Sequence, residues 1–360
     1  MVTESKILSD LAIPPGEYLE EVLEAAGLSQ AELARRMGRP AQAVNEIIKG
    51  DKSITPETAI QLEKVVGVFA HIWSSLEAEY RLIKASQIEA EHAKKEETLL
   101  AGFPYLELTK LGLVEKTRNP LSKVQSLRRF FGVSSLFNLQ GVKEYRPAFR
   151  QGVNNGVNHE ALAAWLRAGA VLANKIDCKE YDRGILLSKI EGIRALTLKH
   201  EPDEFFPVLA TILRQCGIAL VVIPHFKQTH TTGATFWVKK NKAVIMMSLR
   251  GGWADIFWFS LFHELGHVLL HDKRHTFLEN GKPSPEWEKQ EDEADVFSQK
   301  TLIPVNALQE FKNSDDFSAT SINTFSRHIG IAPGIVTGRL QHEKIVPYTF
   351  HAGRIRYKWK

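Results

Sequence analysis

The segment from Phe257 to His271 reads FWFSLFHELGHVLLH, and apolar side chains fill nearly every position around His263, Glu264 and His267. On an α-helix, residues four apart lie on the same face about one turn apart. The imidazoles of His263 and His267 can therefore share one metal ion. Glu264 is rotated to one side, where its carboxylate can take a proton from a water molecule on that ion. We accordingly predict a mostly buried helix that carries a metal site.

This spacing is the H-E-x-x-H arrangement of zinc hydrolases. The apolar flanks favour that interpretation over a chance match, which is expected mainly on exposed polar helices. A buried glutamate between two histidines costs on the order of several kcal/mol unless a partner compensates its charge, and a metal ion with its water would do so. We predict a bound Zn2+, with His263 and His267 as metal ligands and Glu264 as the catalytic base.

A catalytic zinc usually takes three protein ligands and leaves one position for water. Acidic residues cluster from Glu288 to Asp295 on the next predicted helix. Glu291 and Asp295 are four residues apart and share one face of it. Glu291 can ligate zinc, and Asp295 can accept a hydrogen bond from a ligating histidine. We predict these two roles, with Glu293 left open as the alternative third ligand.

A donor that stabilises the oxyanion is usually needed as well. His230, His271 and His275 are candidates, although each one alone is more often a surface or core histidine. His271 also follows His267 at four-residue spacing, but a third ligand from one straight helix would crowd the ion. The choice of the oxyanion donor stays open from the sequence.

The segments around this helix predict an α+β domain that follows a helical region. Apolar residues at three- and four-residue spacing predict helices over 122–132, 159–174 and 183–197. Runs rich in β-branched residues predict three strands, and two helices follow. These strands and helices are Ile218–Ile223, Gly233–Val238, Ala243–Leu249, 254–271 and 285–302. The tail from Arg354 to Trp359 alternates like an edge strand.

The N-terminal region contains two short helices joined by a turn. Ser29 is a good N-cap for the first, and Glu32 three residues later completes a capping box. Gly38 allows a sharp turn, and the second helix ends at Gly50. The inner apolar stripes are Leu33, Ala34 and Met37, then Val44, Ile47 and Ile48. Two such helices predict a helix-turn-helix.

The second of these helices would enter the major groove of double-stranded DNA. Gln42 and Asn45 can pair with adenine, and Arg39 and Lys49 can meet phosphates. Gln30, at the start of the first helix, completes the predicted DNA-binding residues. Residues 1–85 contain nine Lys and Arg against thirteen Asp and Glu, a net charge of −4. We therefore expect DNA binding to rest on a local patch in a homodimer, and a dimerisation or protein-docking module is the alternative.

The composition of the 360-residue chain is that of an ordinary globular protein, with 44% hydrophobic and 24% charged residues. No apolar run is long enough for a spanning helix, no secretory signal is visible, and two cysteines allow at most one disulfide. We therefore predict a cytoplasmic protein without a membrane partner. A composition shift between residues 84 and 105 suggests a domain boundary. We predict a helix-turn-helix domain over 1–85, a helical middle region over 86–200, a metallopeptidase core over 201–310 and a C-terminal extension with a terminal strand over 311–360.

The HELGH stretch and the segment Glu291–Pro304, EDEADVFSQKTLIP, resemble the ImmA/IrrE family of metallopeptidases. Members typically show E-x-E-A-N-x-F-A-x-x-L-L-x-P there. Asp295 replaces the usual Asn and Ser298 the usual Ala, and the Asp is more similar to the E-x-x-x-D of thermolysin-like gluzincins. The resemblance covers about residues 180–345. It implies a zincin-like fold with a small sheet and a zinc endopeptidase that cleaves transcriptional repressors.

Residues 12–82 resemble the Xre/Cro repressor family and, more closely, its HigA-type antitoxin regulators. The matching segments are PPGEYL at 14–19, ITPETA at 54–59, and Trp73. The two resemblances together suggest a regulator that binds operator DNA and cleaves a repressor or antitoxin. Two alternatives remain: a non-proteolytic HigA-like antitoxin or repressor whose metal domain is a sensor or docking module, and a hydrolase for a small molecule. The intact Glu264 argues against the sensor, which needs no general base.

Overall fold

The computed structural model describes residues 11–145, 156–248, 251–271, 277–278 and 285–358. The chain divides into two compact units, residues 1–97 and 98–360. The described part of the first unit is helical and the second adds a small sheet, which confirms the predicted multidomain α+β class. The four-part division of the chain stays a prediction. No helix within the described ranges is long and apolar enough to cross a bilayer.

Helices α1 to α5 form the described part of the first unit. Their bounds are Pro15–Ala25, Gln30–Met37, Ala41–Ile48, Pro56–Val66 and Ala70–Glu96. Ser29 caps α2 by accepting a hydrogen bond from the Glu32 N–H at 3.2 Å. Gly38 follows α2 in the left-handed region at φ 65°, where a side chain would be strained. The predicted helix-turn-helix is confirmed, with its turn at the predicted glycine.

The apolar stripes predicted for α2 and α3 lie in the core of this unit. Its buried members from these helices include Leu33, Ala34, Met37, Val44, Ile47 and Ile48. Trp73 of α5 is fully buried in the same core, and its indole N–H donates to the Val68 carbonyl at 3.1 Å. A buried indole with a satisfied N–H contributes a large apolar area, and it fixes α5 on the other helices.

The predicted capping box is only half correct. The Glu32 carboxylate pairs with Arg35 at 2.6 Å and with Arg36 at 2.9 Å, rather than reaching back to the Ser29 N–H. Hydrogen bonds between two charged groups are stronger than one to a neutral amide. The hydrogen bonds from Arg36 and Arg35 also lower the pKa of Glu32. The Glu32 carboxylate therefore forms ion pairs on the exposed face of α2 and does not complete the cap.

The second unit begins with helices that lead to the sheet. Helices α6 to α10 are Tyr105–Lys110, Pro120–Phe131, His159–Lys175, Arg183–Ala195 and Pro202–Gln215. Short 3-10 turns cover Glu97–Gly102, Leu136–Gly141 and Leu196–Leu198. The three helices predicted before residue 200 correspond to α7, α8 and α9, so the helical periodicity of this region is confirmed.

Among the residues that the structure describes, the sheet has four strands in the order β1-β3-β2-β4. Strands β1 to β4 are Ile218–Ile223, Gly233–Lys239, Lys242–Ser248 and Phe277–Leu278. β1 runs parallel to β3, and β2 runs antiparallel to both β3 and β4. The first three strands confirm the predictions. β4 has only two residues, too few for a sequence pattern.

Helices α11 to α15 complete the second unit. Their bounds are Ala254–Leu270, Pro285–Leu302, Val305–Asn313, Ala319–Ile329 and Pro333–His342. α11 and α12 correspond to the two predicted helices and pack against each other. Gly266 of α11 lies against Ala294 of α12, and a Cβ on the glycine would be 3.1 Å from the alanine Cα. This contact between small residues lets the two helices approach closely.

The sheet lies between α8 and α11. Met246 of β3 faces α8, where Gly169 leaves room for its side chain. Thr235 of β2 pairs with Ile245, the residue before Met246 on β3. The side chain of Thr235 therefore points to the face of the sheet opposite to that of Met246. There it contacts Glu264 of α11. The helix with the predicted metal site is therefore held directly against the sheet.

Polar side chains anchor the ends of α11 and α12. The Tyr181 hydroxyl and Arg183 Nε donate to carbonyls of the last turn of α11, each at 3.1 Å. Arg194 Nε donates to the last carbonyl of α12 at 3.1 Å. Burial raises the pKa of Tyr181 to about 12, so its hydroxyl stays a donor. Carbonyls at helix ends lack partners within the helix, and these bonds satisfy them.

The C-terminal tail differs from the predicted edge strand. Among its described residues, Arg356 forms a single antiparallel bridge with Trp253. Arg354 pairs with the buried Asp255 of α11 at 2.8 Å. Charge pairing and one bridge, rather than a hydrogen-bond ladder, therefore attach the tail to the start of α11.

Candidate metal centre

Two imidazoles of α11 face each other at the centre of this site. His263 and His267 are 6% and 2% exposed, and their Nε2 atoms lie 2.9 Å apart. The ring planes meet at 80° with centroids 4.6 Å apart. The four-residue spacing therefore presents two ring nitrogens to one point.

Glu291 brings a carboxylate from α12 to the same point. Its Oε2 lies 3.3 Å from His263 Nε2, and its Oε1 lies 3.3 Å from His267 Nε2. Within the described ranges, these three residues form the one cluster whose potential ligand atoms lie within 4.8 Å of one another. The close contact of α11 with α12 makes this convergence possible.

The donor set fits a zinc ion. Tetrahedral zinc with bonds of about 2.0–2.1 Å holds its ligand atoms about 3.3 Å apart. Each Nε2 atom lies 3.3 Å from an oxygen of Glu291, which equals that value, and the two Nε2 atoms lie 2.9 Å apart, which is close to it. Both carboxylate oxygens of Glu291 face histidine Nε2 atoms, and Oε1 is buried. A buried carboxylate is costly unless its charge is compensated, and a bound cation would compensate it.

Asp295 contacts the far side of one of these rings. Its Oδ1 lies 2.7 Å from His263 Nδ1, so a proton on Nδ1 leaves the Nε2 lone pair for a metal. Burial opposes protonation of His263, but hydrogen bonds with Asp295 and Glu291 outweigh it and raise its pKa to about 11, so metal binding at Nε2 must release a proton from that atom. For His267, burial dominates and lowers the pKa. Burial opposes the charge of Glu291, but its hydrogen bonds with the two histidines lower its pKa, so it remains a carboxylate.

Glu264 is 1% exposed and is held by two residues of β2. The Thr235 hydroxyl donates to its Oε2 at 2.6 Å. A Cβ on Gly233 would lie 2.3 Å from its Oε1, so only glycine leaves room for the carboxylate. Gly233 and Thr235 were predicted as strand residues, without a role at the metal site. Their two-residue spacing places them on one face of a strand, but only the packing of β2 on α11 shows what that face contacts.

The alternative third ligand, Glu293, lies outside the converging cluster. Its Oε2 is 3.1 Å from His271 Nε2, and His271 Nδ1 is 2.9 Å from His267 Nδ1. Of the candidate oxyanion donors, His271 is thus engaged with two neighbours, whereas His230 is exposed. His275 lies outside the described residues.

The first unit presents most of its predicted DNA-binding residues to solvent. The exposed ones are Gln30, Gln42, Asn45 and Lys49. The Gln42 amide donates to Glu46 Oε1 at 3.0 Å, which places an acceptor beside it on α3. Arg39 is partly buried, and its Nε donates to Gln61 of α4 at 2.6 Å. Polar groups therefore cover the exposed side of α3, while Arg39 is held against its own unit.

Two protein-family models match the chain. A helix-turn-helix model matches residues 19–68, and a model of the IrrE N-terminal-like domain, a peptidase family, matches residues 219–340. The first range lies on α1 to α4 with the turn that follows. The second runs from β1 to α15 and contains every residue of the candidate metal centre. The two resemblances noted in the sequence are thereby confirmed at the level of the family.

Similar proteins match the N-terminal region. Virulence-associated protein I of Dichelobacter nodosus is 38% identical over 77 residues, which are 21% of this chain and 71% of that protein. The uncharacterized HTH-type transcriptional regulator YddM of Escherichia coli is 30% identical over 73 residues, 20% of this chain and 78% of that protein. A solved structure, Pseudomonas aeruginosa antitoxin HigA with the higBA promoter, is 32% identical and covers 24% of this chain and 95% of its own, with a TM-score of 0.23.

Proposed function

Because the chain belongs to the helix-turn-helix family and carries an IrrE N-terminal-like peptidase domain, we propose that it is a DNA-binding regulator with a working zinc endopeptidase. Its substrate would be a protein partner, either a repressor or an antitoxin. The observation that carries this proposal is the convergence of His263, His267 and Glu291, with the carboxylate of Glu264 on the same helix.

Zinc would be held by His263, His267 and Glu291. When bound, it supplies a Lewis acid that polarises the scissile carbonyl and lowers the pKa of the attacking water towards ~7. Asp295 fixes the ring of His263 so that Nε2 faces the ion. The remaining chemistry belongs to the protein's own side chains.

Glu264 would move the proton during hydrolysis. Thr235 fixes Oε2 with a short hydrogen bond, and the missing side chain of Gly233 leaves space for Oε1. The carboxylate takes a proton as the water oxygen attacks the carbonyl carbon. It returns that proton to the amide nitrogen as the C–N bond breaks, which leaves a carboxylic acid and an amine.

Substitution of the base gives the clearest test of the peptidase. Glu264→Gln keeps the size of the side chain but cannot accept the proton, so cleavage should fall by about 10²–10⁴-fold. The full chain and the variant would be incubated with proteins encoded by neighbouring genes, and products would be identified by mass spectrometry. Zinc content should be equal in both proteins.

The same variant separates the proposal from the sensor and from the small-molecule hydrolase. A Glu264→Gln protein that binds zinc and still regulates its target genes fully would exclude proteolysis as the function. Zinc-dependent turnover of a small substrate by a wild-type protein that cleaves no protein would favour the small-molecule hydrolase.

The N-terminal unit would bind operator DNA through α3. Asn45→Ala and Gln42→Ala should each weaken specific binding by about 1–3 kcal/mol if these amides contact bases. Ser86→Ala, on the exposed surface of α5, is the matched control. Electrophoretic mobility shifts of the full chain on its own promoter region would measure these differences. Wild-type affinity in both amide variants would exclude base recognition by α3.

A homodimer would help this unit bind DNA in spite of its net negative charge. Phosphate neutralisation dominates DNA affinity, and residues 1–85 carry a net charge of −4. Two copies double the number of local contacts without requiring a basic domain. Sedimentation of the full chain with operator DNA should show two chains per duplex, and one chain per duplex would contradict this stoichiometry.

A further inference from the structure

We propose that His271 and Glu293 position His267 through two consecutive hydrogen bonds, as Asp295 positions His263 through one. This inference rests on the proposed zinc site and extends it by two residues. A ligating histidine needs a partner for its second ring nitrogen, because that partner fixes both the tautomer and the ring orientation. Asp295 satisfies this need for only one of the two ligands.

The end of α11 places His271 beside His267. The helix ends at Leu270, and His271 takes an extended conformation at φ −113° and ψ 165° while its N–H still bonds the His267 carbonyl at 3.2 Å. Its ring therefore leaves the helical path and lies 5.1 Å from that of His267, centroid to centroid. The Nδ1 atoms of the two rings are 2.9 Å apart. The side chain of His271 is only 3% exposed, so this contact is sheltered from water.

Glu293 completes the chain from α12. Its Oε2 lies 3.1 Å from His271 Nε2, and its side chain is 45% exposed. Both ring nitrogens of His271 are thus engaged, one by a ligand and one by a carboxylate. Glu291, Glu293 and Asp295 lie on one helix. Glu291 faces the Nε2 atoms of the two ligating histidines, whereas Asp295 contacts Nδ1 of His263 and Glu293 contacts Nε2 of His271.

The protons can be assigned from the chemistry of the groups. His267 must present the lone pair of Nε2 to the ion, so its proton is on Nδ1. Nδ1–H can donate only to an acceptor, and the Nδ1 of His271 must therefore be unprotonated. The proton of His271 is then on Nε2 and donates to the Glu293 carboxylate. Each of the two hydrogen bonds then has one donor and one acceptor.

A structural role is the competing explanation. His271 and Glu293 could simply join the end of α11 to α12, and their removal would then lower stability without changing the intrinsic zinc affinity. A positioning role makes a different prediction, because the ring of His267 would lose its fixed tautomer and orientation. Zinc affinity and thermal stability must therefore be measured separately.

The experiment is competition for Zn2+ between a chromophoric chelator and the full chain. His271→Phe keeps a planar ring without nitrogens, and its zinc affinity should fall by about 10–100-fold. Glu293→Ala should lower the affinity in the same direction. Asp292→Ala, an exposed neighbour on the same helix, is the matched control because it removes the same charge; its affinity should stay within about twofold of wild type, the size of a screened surface interaction.

The double variant tests whether the two residues act in series. With His271 already replaced, Glu293 has no path to His267, so His271→Phe with Glu293→Ala should bind zinc as His271→Phe does. Additive losses would show independent electrostatic effects and would overturn the chain. The Co2+ absorption spectrum should keep its tetrahedral character in all variants, because the three ligands are unchanged.

The outcomes separate this inference from the zinc site itself. If the wild-type chain binds no zinc, the proposed function fails. If it binds zinc and both single variants bind it as tightly, the positioning role is refuted while the zinc site stands. If His271→Phe does not fold, Glu293→Ala still tests the inference. Complete loss of zinc binding in Glu293→Ala would instead identify Glu293 as a metal ligand.

Discussion

Gly233→Ala offers a sharp test of the geometry around Glu264. The added Cβ would lie 2.3 Å from Glu264 Oε1, whereas ordinary contacts begin at 3.4 Å. The carboxylate or the strand must therefore move by about 1 Å, and a misplacement of that size can cost about 10²-fold in rate. Thr235 holds the other oxygen, which restricts the directions in which the carboxylate can move.

We expect Gly233→Ala to lower kcat/KM for protein cleavage by about 100-fold while the protein keeps its zinc. Overpacking of this kind also destabilises a fold by about 1–3 kcal/mol, so activity would be compared at a temperature where both proteins are folded. The assay is cleavage of an identified substrate, combined with zinc analysis of the same samples.

Gly192→Ala is the matched control for this substitution. Gly192 lies on the exposed side of α9, and nothing lies within 4 Å of an added Cβ. Alanine in a helix is favoured over glycine by about 1 kcal/mol, so this variant should be slightly more stable and fully active. If Gly233→Ala cleaved its substrate as fast as Gly192→Ala, the assignment of Glu264 as the base in this position would be refuted.

Three further predictions concern single side chains. Thr235→Val should lower cleavage by about tenfold or more without loss of zinc, whereas Thr235→Ser should keep activity; equal rates would remove the hydroxyl from the account. Ser29→Ala should destabilise the N-terminal unit by about 1 kcal/mol in urea unfolding, because the α2 cap is lost, and an unchanged midpoint would contradict that cap. Glu343 is partly buried; burial opposes its charge, but Lys312 and Arg339 lower its pKa. Its contribution is therefore present at neutral pH and lost as pH falls through this lowered pKa, so Glu343→Gln should be about 1 kcal/mol less stable than wild type at pH 7 and nearly equal to it in strong acid. A pH-independent difference in melting temperature would show that the charge does not matter.

The helices and long strands could be predicted because their signals are local. The apolar spacing of α7 to α9, the β-branched run of β1 and the N-cap at Ser29 are each signals contained within one helix or strand. The spacing of Glu291 and Asp295 likewise predicted two carboxylates on one face, and the structure places both against histidine rings. Their roles as ligand and hydrogen-bond acceptor stay predictions.

The remaining features depend on contacts between distant segments. Gly233 and Thr235 matter because β2 packs on α11, and no pattern within β2 indicates which helix covers it. His271 was placed on the helix face by its spacing, but α11 ends one residue earlier and the ring turns towards Glu293. The tail alternates like a strand, yet the pairing of Arg354 with Asp255 determines its path. A pattern within one segment cannot predict contacts with distant segments, and such contacts override local preferences here.

The most direct measurement is zinc K-edge X-ray absorption on the purified full chain, combined with metal analysis. One zinc per chain, with two imidazole nitrogens and carboxylate oxygen at about 2.0–2.1 Å, is the expected result. Glu291→Ala should remove the carboxylate contribution from the spectrum. Protein that retains no zinc, or a Glu291→Ala spectrum identical to wild type, would show that His263, His267 and Glu291 do not form the proposed metal site.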